Sequence, residues 1–352
     1  MTVSCSTRFV VSAIVALVAL LALSFASAAT PYKIVTASER GTYIQIGRDI
    51  AKTIAPAADI ELEVLPSAGS AENVQRLRDE PGVKFALVQS DVYQAFLDQA
   101  AAGNAKAGDM IRPLRVIMPL YNEEIYFVTR ADASLNSVQD IKDAKINVGP
   151  LRSGTALTAT TLYRLMFGGA IPEANASYLS NEDALVKLIG DKSLDVVVIV
   201  AGQPAKLLVD MKPEARQLIK LLKFEPDQPA SKAALKTYVA ATVRATSYPN
   251  LLQQDLPSLA VKAFLVTYNY TRGDTSATFG KFARSLCQNF ATLQAEGHPK
   301  WREVELAMPD LGRGWLYYPP TSKELQACIA GKGKLKPVAN CSAQERVLGL
   351  CG

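Results

Sequence analysis

Histidine is almost missing from this chain of 352 residues, because His298 is the only one. It stands beside Pro299 and lies far in sequence from every serine-containing turn. The chain also lacks a G-x-S-x-G elbow, an H-E-x-x-H pair and a phosphate-binding P-loop. We therefore expect no metal, no cofactor and no enzymatic activity. The alternative is a cryptic hydrolase, because members of a catalytic triad can be distant in sequence and adjacent in space.

A strong charge of either sign is also lacking. The chain has 38 basic and 33 acidic residues, which gives a net charge of +5 at pH 7. It contains no basic stripe with interleaved aromatic residues, so nucleic-acid binding is not expected. A mildly positive surface suits solubility and anionic ligands. We expect a monomer that binds a small molecule.

Cysteine is scarce until the end of the chain. Cys5 lies in the N-terminal segment, and the other four are Cys287, Cys328, Cys341 and Cys351. In an oxidising compartment four cysteines usually form two disulfides, for which three pairings exist. We favour Cys287–Cys328 and Cys341–Cys351, because the second pair would tie down the C-terminal tail.

The longest apolar run stands at the N-terminus. Residues 9–25 are apolar apart from two serines, Arg8 precedes them, and Ala26-Ser27-Ala28 follows with small side chains. This order is typical of an export signal that is cleaved before Ala29. We expect residues 1–28 to be removed and the mature chain to be periplasmic. An uncleaved membrane anchor is the alternative, since the run is longer than most signal cores.

Beyond the signal, strand-like and helix-like segments alternate. Residues 32–37 alternate as a strand does, residues 43–54 have helical spacing, and residues 195–200 form a β-branched run typical of a strand buried on both faces. This alternation predicts an α/β fold in which mostly parallel sheets are flanked by helices. Residues 114–120 and 124–129 are the predicted extended crossings between two lobes with a ligand cleft between them. We place lobe 1 in residues 29–120 and 236–330, lobe 2 in 121–235, and a cysteine-bearing tail in 331–352.

Five short turns carry small polar residues, and each follows a predicted strand and opens a predicted helix. Exposed N–H groups and the helix dipole favour a negative group such as a carboxylate at a helix start. Serine and threonine in such turns are also ordinary helix caps, so a single turn indicates little. Five turns with the same topology favour a shared cleft. They comprise residues 38–42, 66–70, 89–90, 152–155 and 201–202.

Charged residues in and near these turns are further candidates. Arg152, in a glycine-flanked turn, can hold a carboxylate through two parallel hydrogen bonds, and a solvated surface arginine is the alternative. Arg40 has the same two interpretations. Glu123 and Glu124 are neighbours on a predicted strand and should point to opposite faces, so they do not form a catalytic pair. They are either surface charges, or one of them contacts a ligand ammonium.

Taken in chain order, these motifs resemble the TAXI family of solute receptors, the binding proteins of one class of TRAP transporters. The similarity covers roughly residues 32–320. The matching pieces are Gly41-Thr42-Tyr43 with Gly47, residues 67–73, residues 87–92, Leu120-Tyr121 with Glu123, Ser153-Gly154-Thr155 and residues 200–204.

The resemblance implies a two-lobed, type II-like periplasmic binding protein that closes on a small solute and passes it to a membrane permease. Family ligands are glutamate, glutamine and related dicarboxylates. A sensor subunit that signals to a membrane kinase is the alternative function for the same fold. The family binding regions correspond here to Thr42, Tyr43, Ser70, Gln89, Ser90, Tyr121, Ser153, Gly154, Thr155 and Gly202.

Two positions depart from the family pattern. Ser38-Glu39-Arg40 stands where relatives have a glycine-rich turn, and Arg152 stands where relatives often carry a smaller residue. We expect both departures to direct the pocket toward a more anionic solute.

Overall fold

A computed structural model describes residues 29–312 and 314–332 of the chain. The predicted signal peptide, the Cys341–Cys351 pair and most of the predicted tail lie outside the described residues. Of the helices within the described ranges, none is both long enough and apolar enough to cross a membrane.

Ten strands of the described residues form one mixed sheet. Its neighbours run in the order β2-β1-β3-β10-β4-β7-β5-β6, with β8 paired to β4 and β9 paired to β10. The strands are β1 Thr30–Val35, β2 Ile60–Leu65, β3 Val83–Gln89, β4 Leu114–Arg130, β5 Ile146–Asn147, β6 Ala176–Ser177, β7 Val196–Ala201, β8 Ile219–Leu221, β9 Val239–Val243 and β10 Leu256–Tyr268.

Helices cover both faces of this sheet. They are α1 Thr42–Thr53, α2 Ser70–Asp79, α3 Val92–Ala101, α4 Ala105–Ile111, α5 Gly154–Phe167, α6 Asn181–Ile189, α7 Lys206–Val209, α8 Pro213–Arg216, α9 Pro229–Ala234, α10 Gly273–Glu296 and α11 Pro319–Lys332.

Each end of the sheet has a hydrophobic cluster on each face, because successive strand residues point in opposite directions. Ile34 packs in one cluster and the next residue, Val35, in another. Val197 and Val198 divide in the same way at the other end. Burial on both faces explains the continuous apolar run of β7. We call the end with β1–β3 lobe 1 and the end with β5–β8 lobe 2; the predicted residue boundaries of the lobes stay a prediction.

Two long strands, β4 with 17 residues and β10 with 13, connect the lobes. They pair antiparallel from Leu259 opposite Ile125 to Tyr268 opposite Leu114. The two predicted crossing segments are therefore parts of one continuous strand, because residues 122–124 also pair with β10.

Within the lobes the strand pairs of the predicted α/β fold are parallel. β1 pairs in parallel with β2 and β3, and β5 with β6 and β7. The antiparallel pairs all involve the crossing strands β4 and β10. The fold class predicted from the sequence is confirmed.

A disulfide fastens the last described helix to lobe 1. Cys287 of α10 is bonded to Cys328 of α11, and their Cα atoms are 6.5 Å apart. This confirms the favoured first pair. Phe279 of α10 also contacts the ring of Tyr318, at the start of α11, edge to face. The disulfide and this ring contact hold the end of the described chain against the core of lobe 1.

Candidate functional site

A pocket of about 150 Å³ lies where the two lobes meet. Its walls come from the starts of α1, α2, α5, α6 and α7, the carboxyl ends of β3 and β7, and one residue of β4. Parallel strands end, and the following helices begin, at the same edge of the sheet in each lobe. The pocket is therefore the place that the strand–turn–helix pattern predicts.

Two helices of lobe 1 begin at the pocket without a side-chain cap. Their N-cap residues are Gly41 for α1 and Gly69 for α2. Gly69 has φ +127°, a conformation that residues with a side chain rarely adopt. Because the first N–H groups of a helix have no partner within the helix, these uncapped starts offer donors and a positive dipole end.

Helix α5 brings a third start from lobe 2. Ser153 caps it by accepting a hydrogen bond from the N–H of Ala156 at 2.9 Å. A Cβ on Gly154 would overlap Gln89 and Ser70 of lobe 1. Only a glycine allows α5 to approach this closely. The hydroxyl of Ser70 accepts from the N–H of Gln89 at 3.1 Å, which fixes the opposing wall.

Other contacts also join the lobes around the pocket. The hydroxyl of Thr42 donates to the carbonyl of Gly202 at 3.5 Å. On the far side of α5, the buried carboxyl of Asp91 accepts from Thr158 at 2.7 Å and from Tyr238 at 3.0 Å. These contacts bridge residues far apart in sequence and hold the lobes closed over the pocket.

Glu123 is the acidic residue of β4 that lines the pocket. Only 3% of it is exposed, and its Oε2 has no hydrogen-bond partner among the described residues. Burial raises the pKa of Glu123 to about 8, and interaction with the Tyr43 hydroxyl and the Gln89 amide offsets part of that rise. The pocket wall thus contains a carboxyl group that is largely neutral at pH 7.

Glu124, the next residue, lies outside the pocket lining and is fully partnered. Its carboxylate accepts from the Nζ of Lys300 at 2.9 Å and from the backbone N–H of Gln203 at 2.8 Å. Lys300 is completely buried and also donates to Glu303 at 2.6 Å. Burial raises the pKa of Glu124, and the charge of Lys300 opposes that rise. The two glutamates therefore have different surroundings, in agreement with their predicted opposite faces.

Most of the binding residues predicted from the sequence line this one pocket. Their role in binding stays a prediction, but the structure brings them together from both lobes. They are Arg40, Thr42, Tyr43, Ser70, Gln89, Ser153, Gly154 and Thr155.

The remaining predicted residues lie outside the lining. The side chain of Arg152 lies in separate grooves beside α2 and α5, and its carbonyl accepts from the N–H of Glu72 at 3.3 Å. Tyr121 is buried beneath Gly202, where a Cβ would approach its ring within 3.1 Å. Ser90 accepts through its carbonyl from the indole of Trp315 at 2.9 Å.

The start of α6 supplies pocket residues that the sequence analysis did not single out. Ser180, Asn181 and Glu182 line the pocket, and Ser180 caps the helix through the N–H of Asp183 at 3.1 Å. The same strand–turn–helix rule identifies this turn, since β6 ends shortly before it. Glu182 also lies 3.8 Å from Arg40, so an ion pair spans the pocket rim.

No cluster of three or more histidine, cysteine or acidic side chains suited to a metal occurs in residues 29–312 and 314–332. His298 lies outside the pocket lining. Its Nδ1 accepts from the N–H of Lys300 at 3.2 Å, and burial lowers its pKa. The histidine thus caps the short turn Pro299–Glu303.

These features define a class: a two-lobed α/β protein with two strands crossing between the lobes and a pocket at the lobe junction, the architecture of type II periplasmic binding proteins. The chain belongs to the NMT1-like family, whose family model matches residues 34–306. That match includes every residue that lines the pocket.

Solved structures of similar shape have low sequence identity to this chain. The periplasmic binding protein BugD is 14% identical, with a TM-score of 0.48 over 87% of this chain and 96% of its own. The CA3427 gene product of Candida albicans is 12% identical, with a TM-score of 0.47 over 91% and 94%. XAC2383 from Xanthomonas citri, solved with chloride, is 12% identical, with a TM-score of 0.45 over 86% and 98%. Likeness at this level carries no information about the ligand.

Proposed function

We propose that this protein is a periplasmic solute-binding receptor of the TAXI kind. It captures a small carboxylate, either a glutamate-like amino acid or a dicarboxylate, and delivers it to a TRAP-type membrane permease. The observation that carries the proposal is the convergence of the starts of α1, α2 and α5 on one pocket between the lobes.

Physical chemistry favours an anion at such a convergence. A negative group near one helix start gains about 0.3–1 kcal/mol at an exposed site and up to about 2 kcal/mol when partly buried. The hydroxyls of Thr42 and Ser70 add hydrogen-bonding groups to the wall of lobe 1, and that of Thr155 adds one to the wall of lobe 2. Because the two walls belong to different lobes, a ligand that touches both stabilises the closed state over any open one.

Binding without chemistry is part of the proposal. None of the residues that line the pocket is a histidine or a cysteine. The hydroxyls of Ser70 and Ser153 already hydrogen-bond Gln89 and the start of α5. An activated nucleophile needs a base within hydrogen-bond reach, and these serines have none in the described structure. We expect incubation with esters or phosphoesters to give no product.

A screen of the mature protein tests the proposal. The chain from Ala29 to Gly352 is titrated with amino acids and dicarboxylic acids, and the melting temperature is followed. At a hundredfold excess over Kd, a true ligand adds about 2.7 kcal/mol to the free energy of unfolding. The corresponding fully esterified or fully amidated compounds, which lack every carboxylate, are the matched controls and should give no shift. A panel in which no carboxylate raises the melting temperature contradicts the proposal.

Export and delivery need their own measurements. N-terminal sequencing of the exported protein should begin at Ala29, and a sequence beginning at Met1 would favour a retained anchor. Uptake of the radiolabelled ligand should require both this receptor and a TRAP-type permease in the same cells. Uptake that is unaffected by deletion of the permease would contradict the proposed partnership.

A further inference from the structure

The pocket contains one buried acidic group that its protein surroundings satisfy only in part, through interaction with Tyr43 and Gln89. Glu123 is 3% exposed, and its Oε2 has no hydrogen-bond partner in the described part of the chain. The hydroxyl of Tyr43, another residue of the lining, likewise forms no well-aligned hydrogen bond there, although it is near enough to Glu123 to lower its pKa. Lys300, the cation whose charge reaches Glu123, is held by Glu124 at 2.9 Å and by Glu303 at 2.6 Å.

Leaving one oxygen of a buried carboxyl group without a partner is unfavourable, and such atoms in native proteins call for an explanation. Glu124 shows what this chain does with a structural carboxylate one residue away, since two donors and a lysine satisfy it. Glu123 has no comparable set of partners, although it lies on the same strand. Its position in the wall of the pocket therefore favours a partner that arrives with the ligand.

We propose that Glu123 receives the ammonium group of the ligand while the starts of α1, α2 and α5 receive its carboxylate. The inference rests on the proposed function and narrows its substrate class to amino acids. Acids that lack the amino group leave Glu123 without a partner in the closed pocket and bind more weakly.

A neutral Glu123 that donates to a second ligand carboxylate is the competing arrangement, and it would select dicarboxylates. The two arrangements differ in their proton balance. Binding an ammonium group favours the ionised carboxylate, so the proton on Glu123 is released. Donation to a carboxylate favours the protonated form, so the proton is kept.

The titratable groups around Glu123 come from several elements. Tyr43 approaches from α1 and Tyr121 from β4, and burial keeps both hydroxyls protonated by raising their pKa. Glu124 is the other acid on the same strand, and Lys300 is the cation on the segment packed behind it. Gln89, from β3, does not titrate. The pKa of Glu123, about 8, lies just above the range of pH 6 to 7.5 in which ligand binding is measured.

The first measurement compares matched ligands by calorimetry, each amino acid against the same acid without its amino group, for example glutamate against glutarate. We expect the amino acid to bind at least tenfold more tightly. Its affinity should rise as the pH increases from 6 to 7.5, by up to about tenfold per unit, with proton release seen as a buffer-dependent heat. An equal or tighter affinity for the acid without the amino group, or an affinity that falls with rising pH, overturns the inference and leaves the proposed receptor function intact.

The second measurement uses Glu123→Gln, which keeps the shape of the side chain and removes its charge. This variant should bind the amino acid at least tenfold more weakly, lose the proton release, and bind the acid without the amino group almost unchanged. Glu61→Gln, an exposed change on β2, is the matched control and should behave as wild type. Unchanged affinity of Glu123→Gln for the amino acid overturns the inference. If neither member of any ligand pair binds wild type, the proposed function fails, and the inference fails with it.

Discussion

Glu123 and Glu124 are adjacent on one strand and are both buried, yet their surroundings differ completely. Behind the strand, Glu124 belongs to a network with Lys300 and Gln203 that ties β4 to both lobes. At the pocket, the Oε2 of Glu123 has no hydrogen-bond partner among the described residues. The contrast separates two uses of a buried charge. The carboxylate of Glu124, which the protein itself satisfies, holds the structure together, and the carboxyl group of Glu123 is the one that we propose for a ligand.

The largest effect should come from Glu124, the glutamate that the protein itself satisfies. Lys300→Met removes a fully buried cation and leaves Glu124 without its ion pair. We expect a loss of about 3–5 kcal/mol in the free energy of unfolding, measured by urea denaturation. Lys281→Met is the control, because its ion pair with Asp59 is exposed and worth at most about 1 kcal/mol. Similar losses in the two variants would show that the buried ion pair of Glu124 stabilises the fold no more than an exposed ion pair does.

The next effect concerns Glu123, and it is a dependence of the free energy of unfolding on pH. The pKa of Glu123 is raised from 4.5 to about 8 in the folded protein, so the folded state keeps a proton that the unfolded state loses. Stability of the ligand-free protein should therefore fall as the pH rises from about 4.5 to 8. A loss of about 2–4 kcal/mol is expected over that window.

Asp91 contributes with the same sign at lower pH, because burial raises its pKa to about 6. The Glu123→Gln variant should therefore lose the fall between pH 6 and 8 and keep, below pH 6, only the part of the fall that Asp91 supplies. Urea melts of both proteins at several pH values measure this. Parallel pH profiles for wild type and variant would place Glu123 in ordinary, well-satisfied surroundings.

A smaller effect should come from the contact that closes the pocket. Gly154→Ala places a Cβ against Gln89 and Ser70 of the other lobe. Closure then requires these side chains to move, and we expect at least tenfold weaker ligand binding, about 1.4 kcal/mol. Gly169→Ala, at a position where a Cβ meets nothing within 4 Å, is the control. Calorimetry with the ligand from the screen measures both, and equal affinities would show that the lobes need not approach so closely.

The smallest effect is the difference in ligand binding between substitutions of Arg40 and Arg152. Arg40 lines the pocket and pairs loosely with Glu182, whereas Arg152 places its side chain in other grooves and contacts Gln75 at 3.4 Å. We expect Arg40→Ala to weaken binding of an anionic ligand roughly threefold, because its charge is exposed and screened. Arg152→Ala should stay within about twofold of wild type. A larger loss for Arg152→Ala would mean that its side chain turns into the pocket when ligand is present.

Local patterns in the sequence predicted the fold and the turns well. Alternation and helical spacing are properties of short segments, and they identified the strands, the helices and the polar turns that meet at the pocket. The crossing strand β4 was divided in two, because Asn122, Glu123 and Glu124 interrupt its apolar run. Pairing with β10 from the other end of the chain supplies the hydrogen bonds that make it continuous.

The distinction between the two glutamates could not be predicted in the same way. Lys300 lies 176 residues beyond Glu124, and nothing in the local sequence indicates that they meet. The surroundings of Glu123 likewise include Tyr43 and Gln89, which come from two other elements. Side-chain orientation in the turns is equally non-local, since Arg152 fits a carboxylate-binding motif and yet points into other grooves.

The continuous β4 has a consequence for insertions and deletions. Side chains of a strand alternate strictly, so one added or removed residue exchanges the faces of everything that follows. A single-residue insertion between Asn122 and Glu123, where β4 pairs regularly with β10, would turn Glu124 toward the pocket and Glu123 toward the buried Lys300. Affinity and folding would fail together, so this stretch should accept substitutions far more readily than any change in length.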